Sequence, residues 1–191
     1  MTSPPHTFGL GMGNGAVVET LDYHVRVADA GDVPGVEALL ERSYPQLLKA
    51  DYPPSVMVSA VPMLVRAQPA LIGCGTYYVA ETVGKHIVGA GGWTLRNPAT
   101  GRREGAMGSI RHFATDPAVL RQGVGRQLMR RCLVDAIDAG MEGMLCIATR
   151  TAVRFYQAMG FRTTGEVIVE LKPGVRFPAV NMRRDFEDGA S

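Results

Sequence analysis

One stretch restricts the fold more than any other. A strand-like run, Met107–Thr115, passes through Asp116-Pro-Ala-Val-Leu-Arg-Gln-Gly-Val-Gly125 into a long amphipathic helix. Apolar residues at Val124, Leu128, Met129, Cys132, Leu133, Ala136 and Ile137 make a single 3.6-period stripe, and Arg126, Arg130, Asp135 and Asp138 lie off it. Such a helix must lay its stripe on a sheet or on another helix, and Gly140 supplies its stop. Strand, glycine turn and helix in this order point to a mixed α/β domain.

The flanking sequence fills in that domain. Tyr23–Val27 alternates like a strand, and Asp32 is placed to cap a helix that has Pro34 in its first turn and Val36, Leu39 and Leu40 on one face. A second, interrupted helix is expected near Ser55–Arg66. Thr76–Thr82 and His86–Thr94 read as a hairpin around Val83-Gly84-Lys85, followed by a polar loop, Asn97–Glu104. After the long helix come a strand (Met144–Ala148), a short helix (Ala152–Met159, closed by Gly160) and two strands (Glu166–Leu171 and Pro178–Met182) joined through Pro173-Gly174. The expectation is one central mixed sheet of about seven strands flanked by helices. At 191 residues the chain has room for one domain, placed at 23–186. Residues 1–22, with Pro4, Pro5, Gly9, Gly11, Gly13 and Gly15, read as a flexible tail, and 187–191 as a short C-terminal one. The N-terminal glycines do not form a dinucleotide loop, because no strand precedes them and Asn14 stands where the third glycine belongs.

The turn at Gly123 and Gly125 carries the first chemical signal. Glycines let the backbone bend sharply into a helix whose first N–H groups are unpaired and point outward. The helix dipole adds only about 0.3–1 kcal/mol, but convergent N–H donors with arginine make a site for phosphate or diphosphate. From Gly101 to Arg131 seven arginines face only Glu104 and Asp116, a local net of +5 within a chain of net charge +2. The remainder of the chain is therefore acidic, at −3. No Gly-Lys-Ser/Thr follows the turn, so it is not a P-loop, and the missing third glycine makes it a poor dinucleotide fingerprint.

Other classes are disfavoured. A net charge of +2 gives no reason to expect nucleic acid or a membrane surface. Cys74, Cys132 and Cys146 cannot all pair, and none has metal-ligand spacing, so reduced thiols, a cytoplasmic location and no metal are expected. No signal peptide is apparent, and the apolar stretch Val56–Cys74 is broken by Pro62, Arg66, Gln68 and Pro69.

Two segments together resemble the GNAT superfamily of acyl-CoA-dependent N-acetyltransferases. Ile110-Arg-His-Phe-Ala-Thr-Asp-Pro117 running into Gln122-Gly-Val-Gly125 looks like the family's fourth strand and its pyrophosphate loop, Q/R-x-x-G-x-G/A. Ala152-Val-Arg-Phe-Tyr-Gln-Ala-Met-Gly-Phe161 is similar to its A-x-x-F-Y-x-x-x-G-F segment. The likeness covers roughly Tyr23 to Asp185. Leu120 departs from it, standing where the family prefers Gln or Arg, with Arg121 beside it as a substitute. Thr149 stands where Asn is common, and Ser109 where some histone-type members place a glutamate base.

The resemblance implies transfer of the acetyl group of acetyl-CoA, without a metal, to an amine of a small molecule or peptide. It implies cofactor binding by Phe113, Ala114, Thr115, Leu120, Arg121, Gln122, Gly123, Val124, Gly125, Arg126, Thr149, Ala152 and Phe155. Backbone N–H groups near Phe113–Thr115 polarise the thioester, where one such donor is worth about 2.7–4 kcal/mol. Tyr156 is the implied acid for the leaving thiolate. Helical spacing puts Ala152, Phe155 and Met159 on one face, with Tyr156 about 100° round from Phe155, so its hydroxyl need not enter their core. Strand alternation puts Ser109, Arg111, Phe113 and Thr115 on one face and Ile110, His112 and Ala114 on the other. By the resemblance the first set faces the substrate, making Ser109 and Arg111 substrate-side candidates. His112 has the pKa of a base, but alternation turns it away, which favours a structural histidine; a water chain is the other route for the amine's proton. Cys132 and Cys146 read as small buried residues.

Two further readings stay open. One is an acyl-CoA-binding regulatory domain without catalysis. The other is a nucleic-acid-binding domain using the arginines, against which stands an aromatic content of only 7% and no recognised motif. The acceptor segments, Asp32–Arg66 and Leu171–Asn181, carry no readable motif, and a homodimer is expected only because such dimers are common in the family.

Overall fold

The computed structural model of the chain describes residues 21–186. The terminal tails read from composition lie outside the described residues, apart from Leu21 and Asp22, and Leu21 packs against the core.

The seven strands are β1 (Tyr23–Val27), β2 (Tyr77–Thr82), β3 (Ile87–Thr94), β4 (Met107–Thr115), β5 (Gly143–Ala148), β6 (Arg162–Lys172) and β7 (Val175–Asp185). They form one sheet in the order β1-β2-β3-β4-β5-β7-β6, in which only β4 and β5 run parallel. The helices are α1 (Val33–Leu48), α2 (Pro54–Leu64), α3 (Pro69–Ile72), α4 (Val124–Asp138) and α5 (Val153–Ala158). The expected mixed seven-stranded sheet is therefore present, with α3 as an additional short helix.

The sheet separates two cores. On one face α4 buries Val124, Leu128, Met129, Cys132, Leu133 and Ala136, with Tyr156 and Phe161 from the α5 region. On the other, α1 and α2 bury Val36, Leu39, Leu40, Leu48 and Ala60 against Tyr77, Val79 and Ala90. A buried Leu or Met is worth about 1.5–3 kcal/mol, so these two layers carry most of the fold. Ile137 does not join the stripe: in the last turn of α4 it is 52% exposed. Ala136 closes the buried stripe, and Ile137, one residue and about 100° further round the helix, points away from the sheet.

Asp32 does not cap α1 with its side chain. Its carboxylate takes two hydrogen bonds from the Arg26 guanidinium, both 2.7 Å, and accepts the Asp29 N–H at 2.9 Å. A bidentate charge-assisted pair outcompetes a neutral cap. Arg26 also grips Glu81 of β2, so this cluster fixes β1 to the entry of α1. β6 and β7 extend beyond the segments expected from alternation, because Arg162, Thr163 and Arg183–Asp185 pair through backbone while carrying polar side chains.

Candidate active site

Two features of β4 shape the site. First, β4 bonds to β5 only over Met107–Gly143, Gly108–Met144 and Ser109–Leu145. Beyond Leu145, β5 stays paired with β7 as far as Ala148–Val180. The two parallel strands therefore part, and a wedge opens between residues 110–115 and 146–148. Second, β4 is bulged: Ala90 of β3 pairs with Ala114, but Gly92 pairs with Arg111, so β4 carries one extra residue. His112 sits there with a left-handed φ of 48°.

The bulge corrects the alternation expected along the strand. Phe113 and Thr115 lie on the α4–α5 face, where Phe113 stacks on Phe155 at 5.8 Å. Ala114 is buried against the α1–α2 core. His112 is turned to that same side: its Nε2 is 3.0 Å from the Leu64 carbonyl of α2, and Tyr44 of α1 meets its ring edge-on at 6.3 Å. Arg111 is on this side as well, bonded to Thr94 Oγ1 at 3.2 Å, and burial pulls its pKa down. One extra residue moves every later side chain to the opposite face.

At the outer end of the wedge, β4 runs through a 3-10 turn (Pro117–Val119) into α4. Asp116 closes the strand: its carboxylate accepts the Ala118 N–H and pairs with Arg42 of α1. Leu120, Arg121, Gln122 and Arg126 are exposed, whereas Val124 is buried and anchors the helix. Gly123 begins α4 at φ 86°, and no side chain caps the helix. Its first N–H groups consequently face outward as anion donors. A Cβ on Gly125 would stand 3.2 Å from Thr115 Oγ1 and 3.3 Å from the Phe155 ring, so glycine lets the helix start close against β4 and α5.

At the inner end stands Tyr156. Its hydroxyl does not escape the core, as its angle from Phe155 had suggested. The residue is buried between Phe155 (5.3 Å) and Phe161 (5.4 Å), beside the Cys146 thiol of β5. The direction away from the Phe155 face leads into the wedge wall formed by β5, not to solvent. Burial, and then Cys146, hold its phenol well above the ordinary 10. Burial likewise pushes the Cys146 thiol up to about 12. Thr149 leads into the 3-10 turn Arg150–Ala152, and Ala152 packs on the core.

Tyr44 and Tyr52 escaped the sequence reading. The Tyr52 hydroxyl accepts the Arg150 N–H at 2.8 Å and donates to the Pro178 carbonyl at 2.9 Å. It fastens the α1–α2 connection across the end of β5. Tyr44 is buried near Cys146 and Tyr156: burial and then Cys146 raise its own pKa, and it contributes to the raised pKa of Tyr156. Their only sequence signal was an aromatic in a region without a motif. Ser109, Ile110, Leu145, Cys146, Ile147 and Asn181 line a cavity of about 230 Å³ where the strands part. A larger cleft of about 560 Å³, lined by Arg42, Glu81, His86 and Asp116, contains none of the expected site residues. Among the described residues, no group of three or more His, Cys, Asp or Glu is placed to hold a metal, and no helix is long and apolar enough to cross a membrane.

Residues 73–163, which hold both the turn and Tyr156, match the acetyltransferase (GNAT) domain family. The matched stretch, a little under half of the chain, resembles a GNAT acetyltransferase domain. Solved structures agree on its fold. A GCN5-related N-acetyltransferase from Rhodopseudomonas palustris superposes with a TM-score of 0.66 at 18% identity, over 86% of this chain and 96% of that one. The paia N-acetyltransferase from Thermoplasma acidophilum, in complex with coenzyme A, gives 0.64 at 12% identity, over 87% and 100%. The yncA protein of Salmonella typhimurium, with its cofactor acetyl-CoA, gives 0.62 at 18% identity, over 89% and 97%. No curated protein matches the sequence. The GNAT match begins just before β2 and ends in β6, so α1 and α2, which wall the other side of the wedge, fall outside it.

Proposed function

We propose that this GNAT domain is an N-acetyltransferase that moves the acetyl group of acetyl-CoA directly to a primary amine of a small molecule or peptide. One observation carries the reading: β4 and β5 part between an uncapped helix N-terminus at Gly123–Gly125 and the buried phenol of Tyr156. The residues suit the cosubstrate. Outward N–H groups with Arg121 and Arg126 match a diphosphate, and neighbours of the same fold hold coenzyme A or acetyl-CoA.

Bound acetyl-CoA supplies an activated acetyl thioester. Gly123–Arg126 bind its diphosphate, flanked by Leu120–Gln122. Phe113, Ala114, Thr115, Thr149, Ala152 and Phe155 border the wedge and orient the chain within it. Unpaired backbone N–H groups on the parted stretch of β4 polarise the carbonyl. Tyr156 is protonated throughout the physiological range and gives its proton to the sulfur as the C–S bond breaks. Ser109 and Arg111 lie on the acceptor side. The raised Cys146 pKa keeps that residue a thiol, which favours direct transfer over an acetyl-cysteine.

Incubation with acetyl-CoA and a broad amine mixture, read by mass spectrometry, is expected to yield N-acetylated products. The intact protein mass is expected to stay unchanged. Tight coenzyme A binding with no turnover on any amine would instead identify an acyl-CoA-binding regulatory domain, and an acetyl adduct on Cys146 would exclude direct transfer.

A further inference from the structure

β4 holds a cation that the protein does not neutralise. Arg111 is half-buried, and burial disfavours its charged form. Among the described residues, no Asp or Glu pairs with its guanidinium. The titratable groups beside it are Cys74 and Tyr77, and neither is a carboxylate. Taking a cation out of water is costly unless an anion meets it. Its hydrogen bonds are nearly unspent as well. A guanidinium has five N–H donors, and here one of them is used, on Thr94 Oγ1 at 3.2 Å. Among the described residues, no side-chain nitrogen sealed from solvent lacks a partner, so the remaining donors reach open space.

We propose that Arg111 receives a carboxylate of the acceptor, so that the amines acetylated are small amino acids. The inference rests on the acetyltransferase reading above.

The strand register carries the guanidinium to the edge of the cavity between β4 and β5. Gly92 pairs with Arg111 and Thr94 with Ser109, so Thr94, Ser109 and Arg111 share one face of the sheet. The Arg111 side chain leans back along the strand to reach Thr94. Thr94 Oγ1 gives its own hydrogen to the Arg96 carbonyl at 2.9 Å, which leaves the oxygen free to accept. Cross-strand partners have Cβ atoms about 4.5–5.5 Å apart, so a guanidinium held at Thr94 lies beside Ser109. Ser109 lines the cavity of about 230 Å³ and is the last residue of β4 paired to β5. The free N–H groups thus border the place where the strands part.

Size and charge narrow the class. The cavity falls below the roughly 300–1,000 Å³ of drug-sized sites, which suits an amino acid and not a peptide. Leu145 and Ile147 give it an apolar wall, Asn181 supplies an amide, and Glu104 is the one charged residue in its lining. Glu104 enters from the opposite end of β4, bridged to Met107 and hydrogen-bonded by Asn97. It repels a second carboxylate, so the acceptor carries one. A single guanidinium matches that one negative charge, whereas a phosphate monoester brings about −1.5 to −2.

The test compares amino acids with their own carboxamides by steady-state kcat/KM at saturating acetyl-CoA. Each pair shares its amine and side chain and differs in the carboxylate. The wild type prefers the acid. Arg111→Gln lowers kcat/KM for the acid about 10²-fold and for the amide less than about threefold, with coenzyme A affinity by calorimetry unchanged. Taking the ratio of variant to wild type cancels the difference in amine basicity within a pair. Arg111→Lys keeps part of the preference, because it retains the charge and loses the planar fork. Arg111→Gln does not lower Tm, since it removes an unpaired cation, whereas an arginine with a purely structural role would cost stability when removed. Thr94→Val, which takes away the guanidinium's tether, moves the ratio the same way by a smaller factor. Aspartate and glutamate are the weakest of the acids, and Glu104→Gln raises both. A wild type that acetylates amines without preferring the acid, one that prefers phosphate-bearing amines or diamines, or an Arg111→Gln variant that keeps the wild-type ratio overturns the role of Arg111 and leaves the acetyltransferase reading intact. A wild type that acetylates no amine overturns both.

Discussion

The turn at Gly123–Gly125 and the bulge at His112 lie on one short stretch of chain, yet they are built by different physics. The turn is a local object. A φ of 86° at Gly123 and the close approach of Gly125 to Thr115 and Phe155 are demands met by glycine itself. The bulge is a long-range object. His112 takes up a left-handed φ because β3 pairs out of step, Tyr77 holds its carbonyl and α2 holds its ring. The glycine-turn end of the wedge is thus written in residue types, whereas the bulged end is written in contacts.

Substitutions at the turn test this contrast most severely. Gly125→Asp places a carboxylate in the path of a diphosphate and a Cβ against Thr115 and Phe155. Its kcat/KM for acetyl-CoA is expected to fall on the order of 10³-fold, about 4 kcal/mol. Gly123 has more space: the nearest atom to an added Cβ is the Tyr23 hydroxyl at 3.8 Å. There the pair Gly123→Asn and Gly123→Asp isolates charge, because both tolerate positive φ. Asp is expected to raise the acetyl-CoA KM about tenfold above Asn. Equal KM values in steady-state assays would mean that no anion is held at the turn.

Tyr156→Phe probes the other end. It removes the proposed proton donor while keeping the ring between Phe155 and Phe161. A kcat about 10²-fold lower, with the dissociation constant for coenzyme A unchanged, is expected. The sign of its pKa shift adds a second readout. Burial favours the neutral phenol, so deprotonation is delayed and wild-type kcat shows no alkaline limb below pH 10. A limb below that point, or an unaltered kcat in Tyr156→Phe, removes Tyr156 from the acid role.

The sequence was informative wherever burial has a period. β4 and the stripe of α4 emerge from alternation and 3.6-residue spacing, and the glycine stops after α4 and α5 have the positive φ that such stops require. It was silent where polar residues pair through backbone alone, as at both ends of the β6–β7 hairpin. It misled at β4, because alternation assumes an unbroken register, and nothing local in Arg111-His112-Phe113 marks an inserted residue. Asp32 teaches the same lesson at smaller scale: a residue suited to capping went to Arg26, which is adjacent only after β1 and α1 have packed. Tyr44 and Tyr52 reach the wedge from α1 and its exit, so their importance depends on how α1 lies across the sheet.

The smallest expected effect concerns a departure from the family pattern within the legible region. Leu120 is 45% exposed on the turn, where the resemblance leads one to expect Gln or Arg. Leu120→Arg adds a cation near the outward N–H groups without disturbing a buried contact. An exposed ion pair is worth about 0.2–1 kcal/mol, so affinity for coenzyme A should rise by at most about fivefold. That gain should shrink as salt rises, since the Debye length falls from about 10 Å at 0.1 M to about 3 Å at 1 M. Arg121, next in sequence and also exposed, complicates the comparison usefully. If it already serves the missing function, Leu120→Arg alone gives no gain, Arg121→Ala alone loses affinity, and the double substitution restores the wild-type value. Calorimetry of the three variants at two salt concentrations separates a vacant cationic position from a relocated one. In either case the proposed site keeps the uncapped backbone donors of α4, which need no particular side chain.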